Sequence, residues 1–244
     1  MPTFGSKLGI AQRIILAIDT SNADEAENLA QLAKSAGARF IKFGLQIATA
    51  KSWQWCAELS KKYGLEWVAD AKLADIPNTI EASVASLVEL GYSPYAITIH
   101  ATAGHQAMVK AQASAGQVLI FGVTILTSLS DEECHRIYGS SAKDKVMELA
   151  QSAAAAGIAG IVASPKEVGM IKQNEVTKSL LTMIPGSRST EAQAADQARV
   201  ATPSQTITAG ADLLVIGREI THAKDPAVAF AKIVNDIKEA VNEL

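Results

Sequence analysis

Trp67-Val68-Ala69-Asp70-Ala71-Lys72-Leu73-Ala74-Asp75-Ile76-Pro77-Asn78-Thr79 begins as an apolar strand and ends in three charges. Residues i and i+2 of a strand share a face, so Asp70 and Lys72 emerge side by side. Pro77 and Asn78 mark a turn just beyond Asp75. Charges at the end of a buried strand are costly to desolvate unless they pair. The cluster therefore either locks a strand end or does chemistry. The spacing D-x-K-x-x-D alone does not separate the two.

Working outward, short β-rich apolar runs alternate with helical patterns along the whole chain. The strands read as residues 13–19 (RIILAID), 40–44 (FIKFG), 66–70, 95–100 (YAITIH), 117–126 (QVLIFGVTIL), 160–163 (GIVA), 180–184 and 213–217 (LLVIG). Helices are expected over 22–36, 47–63, 79–90, 104–115, 142–156, 165–173, 202–209 and 226–244, with a short extra one at 131–138. Thr20, Ser21 and Asn22 offer caps for the first, and Gly37 and Gly91 act as stops. Thr202 with Pro203 at the next position opens the helix over 202–209.

Eight nearly continuous apolar strands, each followed by a helix, predict parallel pairing under a helical cover. The count and the 244-residue length favour an α/β fold, a single (β/α)8 TIM barrel spanning residues 1–244, with residues 1–12 as an N-terminal arm. An open doubly wound sheet uses the same alternation, and the pattern does not see closure.

Composition narrows the function classes. With 48% hydrophobic and 19% charged residues, the chain can build a sizeable core and is not disordered. A net charge of -3 excludes a broad basic footprint for nucleic acid but allows a local anion pocket. No apolar run approaches a membrane span, and the first twelve residues lack the apolar core of a signal peptide. Cys56 and Cys134 form no C-x-x-C pair and suit buried thiols in a reducing cytoplasm. His100, His105, His135 and His222 show no metal-ligand spacing, so no metal site is expected.

In a barrel of this kind active sites form at the C-terminal ends of the strands. The polar residues there are Asp19, Lys42, Asp70, Lys72, His100, Thr127, Ser128, Arg188, Gly217 and Arg218. Several have plainer explanations. Asp19 suits a helix-capping turn as well as a ligand contact. Lys42 could snorkel, although a lysine at an inward position of FIKFG is hard to leave unpaired. His100 reads as a structural histidine, and Thr127 and Ser128 could cap the helix at 131–138.

Gly217-Arg218 says more. Backbone can approach a ligand at the glycine, and the guanidinium stands at the start of a short helical turn expected over 219–223. The loops after strands seven and eight are the usual phosphate position in this fold, and Arg188 could supply a second guanidinium. Residues 185–201 (PGSRSTEAQAADQARVA) form a long polar segment of the kind used as a lid, and Gln197 within it could reach across a ligand.

Taken together, these residues resemble the orotidine 5'-phosphate decarboxylases. Residues 70–79 (DAKLADIPNT) are similar to that family's D-x-K-x-x-D-I-P-N-T signature throughout. The likeness continues through AID at Asp19, IKFG at Lys42, LTS at 126–128, PGSR at 185–188, DQARVATP from Asp196 and GADLLVIGREI from Gly210. Sugar-phosphate decarboxylases and hexulose-phosphate synthases of the same superfamily share D-x-K-x-x-D, use magnesium and lack I-P-N-T. They are the alternative reading. Ser187 departs from the family, since many relatives carry an aliphatic residue there.

The resemblance implies a cofactor-free carboxy-lyase that converts orotidine 5'-phosphate to UMP and carbon dioxide, the last step of de novo pyrimidine synthesis. It implies that Asp19 holds the ribose, and that Lys42, Asp70 and Lys72 form a charged network with Lys72 as proton donor. It also implies a cytoplasmic homodimer in which the partner contributes Asp75, with Ile76 and Thr79 beside it. Thr127 or Ser128 would contact the pyrimidine. Arg188, Gln197, Gly217 and Arg218 would bind phosphate and close the lid.

Overall fold

The chain's computed structural model describes residues 8–187 and 201–242. Its strands are β1 (Ile14–Ile18), β2 (Phe40–Gly44), β3 (Glu66–Leu73), β4 (Ala96–His100), β5 (Leu119–Val123), β6 (Gly160–Val162), β7 (Leu181–Pro185) and β8 (Leu213–Ile216). Each pairs in parallel with the next, and β8 returns to β1 through Ile14 opposite Leu214 and Leu16 opposite Ile216. The sheet is therefore a closed (β/α)8 barrel, and the open arrangement falls away.

The helices among the described residues are α1 (Ala23–Ser35), α2 (Leu45–Ala50), α3 (Trp53–Tyr63), α4 (Pro77–Val88), α5 (His105–Ser114), α6 (Asp131–Tyr138) and α7 (Ala142–Ala155). They continue as α8 (Val168–Gln173), α9 (Pro203–Thr208), α10 (Arg218–Thr221) and α11 (Pro226–Asn242). Asn22 caps α1, accepting from the backbone N–H groups of Asp24 and Glu25 at 2.9 and 3.1 Å.

Alternation along each strand sorts two apolar layers. Ile14, Leu16 and Ile18 of β1 face the helices, as do Ile41 and Phe43 of β2. Ile15, Ala17, Phe40, Val68, Ala96, Phe121, Met183, Leu213 and Val215 fill the barrel interior. Burying a side chain the size of Phe40 contributes about 1.5–3 kcal/mol. The interior is apolar towards the strand starts and turns polar towards their ends. Phe40 gives way to Lys42, Val68 to Asp70 and Ala96 to Thr98. The same alternation that packs the core thus delivers polar groups to one rim.

Several boundaries differ from those expected. The helix expected over 47–63 is two, α2 and α3, because Ser52 accepts from the Trp55 backbone N–H at 3.1 Å and starts a new helix. Trp53 then stacks near Trp67, with ring centroids 6.4 Å apart. α4 begins at Pro77 rather than 79, since proline at the first helical position loses no hydrogen bond. β5 ends at Val123 rather than 126, where the Thr124 hydroxyl donates to the Val162 carbonyl at 2.8 Å. β3 runs on to Leu73, past the expected end at Asp70, which makes Lys72 a strand residue.

Candidate active site

The C-terminal rim encloses a cavity of about 550 Å³. Its polar lining includes Asp19 after β1, Lys42 of β2, Asp70 and Lys72 of β3, and Thr98 of β4. Thr127, Gly217 and Arg218 also line it. These come from distant parts of the sequence, and closure of the sheet brings them to one place.

A relay of charges crosses this floor. Lys42 Nζ lies 2.9 Å from Asp19 Oδ1 and 3.2 Å from Asp70 Oδ2. Lys72 Nζ lies 2.7 Å from the same Asp70 oxygen. The other oxygen, Oδ1, accepts from the Thr98 hydroxyl at 2.9 Å. Lys42 and Asp70 are both buried, so neither charge is tolerable alone. Burial has the largest single effect on Asp70 and pushes its pKa up. Lys42, Lys72 and Thr98 together outweigh it and hold the carboxyl at about 2. Burial likewise pulls Lys42 down, but Asp70 and Asp19 reverse this and leave its pKa raised. The Asp70 carboxylate and the Lys42 ammonium are thus both ionised at neutral pH.

Lys72 has a backbone φ of 45° and is the one non-glycine in the left-handed region among the described residues. Such a conformation costs about 1–3 kcal/mol and persists where its surroundings enforce it. The cause is a register shift. Ala69 pairs with Ile97 and Leu73 with Ile99, so three β3 residues stand opposite Thr98 alone. The bulge presents Lys72 beside Asp70 at the cavity.

Gly44 makes room for this assembly. A Cβ there would stand 3.2 Å from both Asp19 Oδ1 and Lys42 Nζ. Beside Asp19, at the end of the neighbouring β8, Gly217 precedes α10 and Arg218 opens it, with Arg218 exposed. Ser187 is buried, and its hydroxyl lies 3.0 Å from that of Thr206. That partner satisfies the hydroxyl of Ser187 in its buried position.

Not every residue singled out in the sequence reaches this cavity. Asp75, Ile76 and Thr79 are exposed and lie outside the cavity lining of their own chain. The Asp75 carboxylate accepts from the Ile76 backbone N–H at 2.7 Å. Asp75 thus does not line the cavity beside Lys72 within one chain, because β3 ends at Leu73 and the chain bends at Asp75 before α4. Thr127 lines the cavity, whereas Ser128 is exposed and does not. Arg188 and Gln197, with residues 188–200 of the segment expected as a lid, lie outside the described residues. His100 ends β4 beyond the lining; burial and the Lys72 charge lower its pKa.

Thr98 and Gly44 were not singled out from the sequence. Thr98 had a visible signal, as the polar residue at an inward position of YAITIH. Glu219 and His222 also line the cavity near Arg218. Among the described residues, no three His, Cys, Asp or Glu side chains cluster as a metal site, and no helix is long and apolar enough to cross a membrane.

Comparisons with known proteins agree with this geometry. The orotidine 5'-phosphate decarboxylase of Idiomarina loihiensis is 35% identical over 93% of this chain and 98% of its own length. That of Novosphingobium aromaticivorans is 39% identical over 90% of this chain and 96% of its own. The crystal structure of orotidine 5'-phosphate decarboxylase from Lactobacillus acidophilus superposes with a TM-score of 0.78 at 27% identity, covering 93% of this chain and 99% of that one. Residues 12–233 match the family model for Orotidine 5'-phosphate decarboxylase / HUMPS. The charged strand ends and this match over most of the chain lead to one conclusion: the protein belongs to the Orotidine 5'-phosphate decarboxylase / HUMPS family.

Proposed function

We propose that the Lys42–Asp70–Lys72 network carries the decarboxylation of orotidine 5'-phosphate to UMP and carbon dioxide. The reaction itself follows from the family and from relatives that bear this name over nearly their whole length. The observation that carries the residue assignment is the shared Asp70 oxygen, which holds two ammonium groups at the cavity floor.

Breaking the bond to the carboxylate leaves an electron pair on an sp2 ring carbon that the π-system does not stabilise well. A fixed ammonium group in a partly dry site stabilises that charge as it forms. Lys72 then gives its proton to the carbon, and the neutral amine regains one from solvent. Asp70 serves by holding the Lys72 side chain in place through their 2.7 Å contact. Its proximity to the substrate carboxylate adds repulsion in the ground state, a contribution we rank below transition-state electrostatics.

In the same reading Asp19 holds the ribose and Thr127 meets the pyrimidine. Gly217 and Arg218 bind the phosphate, joined by Arg188 and Gln197. The phosphate is remote from the reacting carbon, yet its binding energy serves orientation and closure. We assign Asp75, Ile76 and Thr79 to the site of a second copy in a homodimer. Their exposure beside the rim supports this, as does the 65% exposure of the apolar Ile76. Two buried cysteine thiols support a reducing, cytoplasmic setting.

The metal-dependent chemistry of the superfamily is disfavoured by the names of the relatives and by the donor set. Both Asp70 oxygens are already committed, one to Thr98 and one to two ammonium groups. A spectrophotometric assay with orotidine 5'-phosphate and a metal chelator tests the proposal. Turnover to UMP should persist undiminished, and its loss on chelation would reinstate the metal-dependent reading.

A further inference from the structure

Thr98 is almost wholly buried at the centre of β4, with its hydroxyl between the two reacting-end residues of β3. The β3 bulge removes the regular ladder partner of the Lys72 backbone N–H. That N–H donates instead to Thr98 Oγ1 at 3.0 Å. The hydroxyl has one proton to give, and it goes to Asp70 Oδ1 at 2.9 Å. A single side chain thus accepts from the backbone of Lys72 and donates to the side chain of Asp70.

Both bonds bear on the chemistry. Accepting from Lys72 N–H anchors the left-handed turn from which the lysine side chain projects. Donating to Oδ1 sets the rotation of the carboxylate, so that Oδ2 faces Lys42 and Lys72 together. A hydroxyl in this place also satisfies two buried groups that would otherwise lose their partners. From these contacts we infer that Thr98 is a positioning residue for decarboxylation: its hydroxyl holds the Lys72 turn and orients Asp70. This deepens the reading given above and rests on it.

Thr98→Val keeps the shape and removes the hydroxyl, and Thr98→Ser keeps the hydroxyl and removes the methyl. With wild-type enzyme and orotidine 5'-phosphate, kcat should fall on the order of 10²-fold in Thr98→Val, the scale of a misplaced catalytic group. UMP affinity should stay within about 3-fold, because its phosphate and ribose contacts lie elsewhere. Thr98→Ser should retain most of kcat. The acid limb of the kcat pH profile should also move to higher pH in Thr98→Val, since Asp70 loses a hydrogen bond that favours its anion.

A Thr98→Val enzyme with wild-type kcat and an unmoved acid limb would overturn the assignment. So would a Thr98→Ser enzyme as impaired as Thr98→Val. If Thr98→Val proves unstable, Thr98→Ser against Thr98→Ala, with melting followed in parallel, makes the same comparison. Equal losses of kcat and UMP affinity there would reduce Thr98 to a packing role. Wild-type protein that fails to decarboxylate orotidine 5'-phosphate would instead sink the underlying reading, and this assignment with it.

Discussion

Asp70 and Lys72 meet at 2.7 Å through an oxygen that also lies 3.2 Å from Lys42. One carboxylate oxygen binds two cations that would otherwise repel across the cavity floor. Removing either lysine leaves the other still paired, whereas removing the Asp70 carboxylate takes the ion-pair partner from Lys72 and leaves Lys42 with Asp19 alone. The site's stability and its chemistry therefore converge on the ionised state of Asp70.

That dependence sets the acid response of the fold. The folded Asp70 pKa of about 2 lies below its ordinary value of 3.8. Its contribution is therefore complete above about pH 4 and disappears as pH falls towards 2. The shift corresponds to about 2 kcal/mol. Urea melts at steps between about pH 5 and pH 2 should show this component in the wild type and not in Asp70→Asn. Lys42 works in the opposite sense: its raised pKa gives a contribution that is lost only at strongly alkaline pH. Superimposable acid limbs in the two proteins would remove Asp70 from the account.

Replacing Lys72 with alanine should separate activity from fold. Its side chain is partly exposed, and Asp70 keeps Lys42 and Thr98 as partners. Turnover should fall by at least about 10⁴-fold, as proton donation and charge stabilisation are lost together. The melting temperature should stay within a few degrees of wild type. Activity near normal would refute the proton-donor assignment.

Arg218→Ala should act at the end of β8, next to the strand that carries Asp19. Losing a charge-assisted contact to phosphate should lower kcat/KM for orotidine 5'-phosphate by about 10–100-fold. The bare nucleoside, which carries no phosphate, should be turned over by the variant and the wild type at nearly equal efficiency. Equal losses on both substrates would take the phosphate role away from Arg218.

The proposed sharing of sites between two copies makes Asp75 testable by mixing. Lys72→Ala and Asp75→Asn should each be inactive alone. Equal amounts, allowed to exchange subunits, should recover about one quarter of wild-type activity, since half the dimers are mixed and one of their two sites is intact. Recovery of nothing, while gel filtration shows mixed dimers, would place Asp75 outside the partner's site.

The barrel wall offers a test of the fold itself. A Cβ at Gly160 of β6 would stand 2.7 Å from Phe121 Cε1 and 2.9 Å from Leu181 Cβ, and would also press on the Leu181 carbonyl oxygen. Gly160→Ala should therefore cost about 1–3 kcal/mol and lower the melting temperature by several degrees. An unchanged melt would mean that β6 and β7 separate more readily than their pairing suggests.

What could be read from the chain alone depended on how local each cause was. The eight strands were legible because a short, nearly continuous apolar run such as FIKFG or LLVIG is a property of a few consecutive residues. The Asp70–Lys72 pair was legible for the same reason. Division of one helix into α2 and α3 turned on a single cap at Ser52, which a helical period does not reveal. Thr98 was visible as a polar inward residue, but its purpose depends on a register shift between β3 and β4 that involves both strands. Asp75 follows Lys72 by three residues, yet the chain turns between them, and sequence proximity overstated their closeness.

The ring of strands assigns its two tasks to different arcs. Charged and hydroxyl groups around the Lys72 ammonium come from β1 to β4, and the Gly217–Arg218 corner follows β8, which pairs with β1 in the closed ring. Lys72 and Thr98 stand on β3 and β4, three and four strands along the ring from β8, so substitutions there can redirect the proposed bond-breaking step while leaving the proposed phosphate corner in place. A scaffold divided in this way is suited to exchanging reactions while keeping its taste for one kind of molecule.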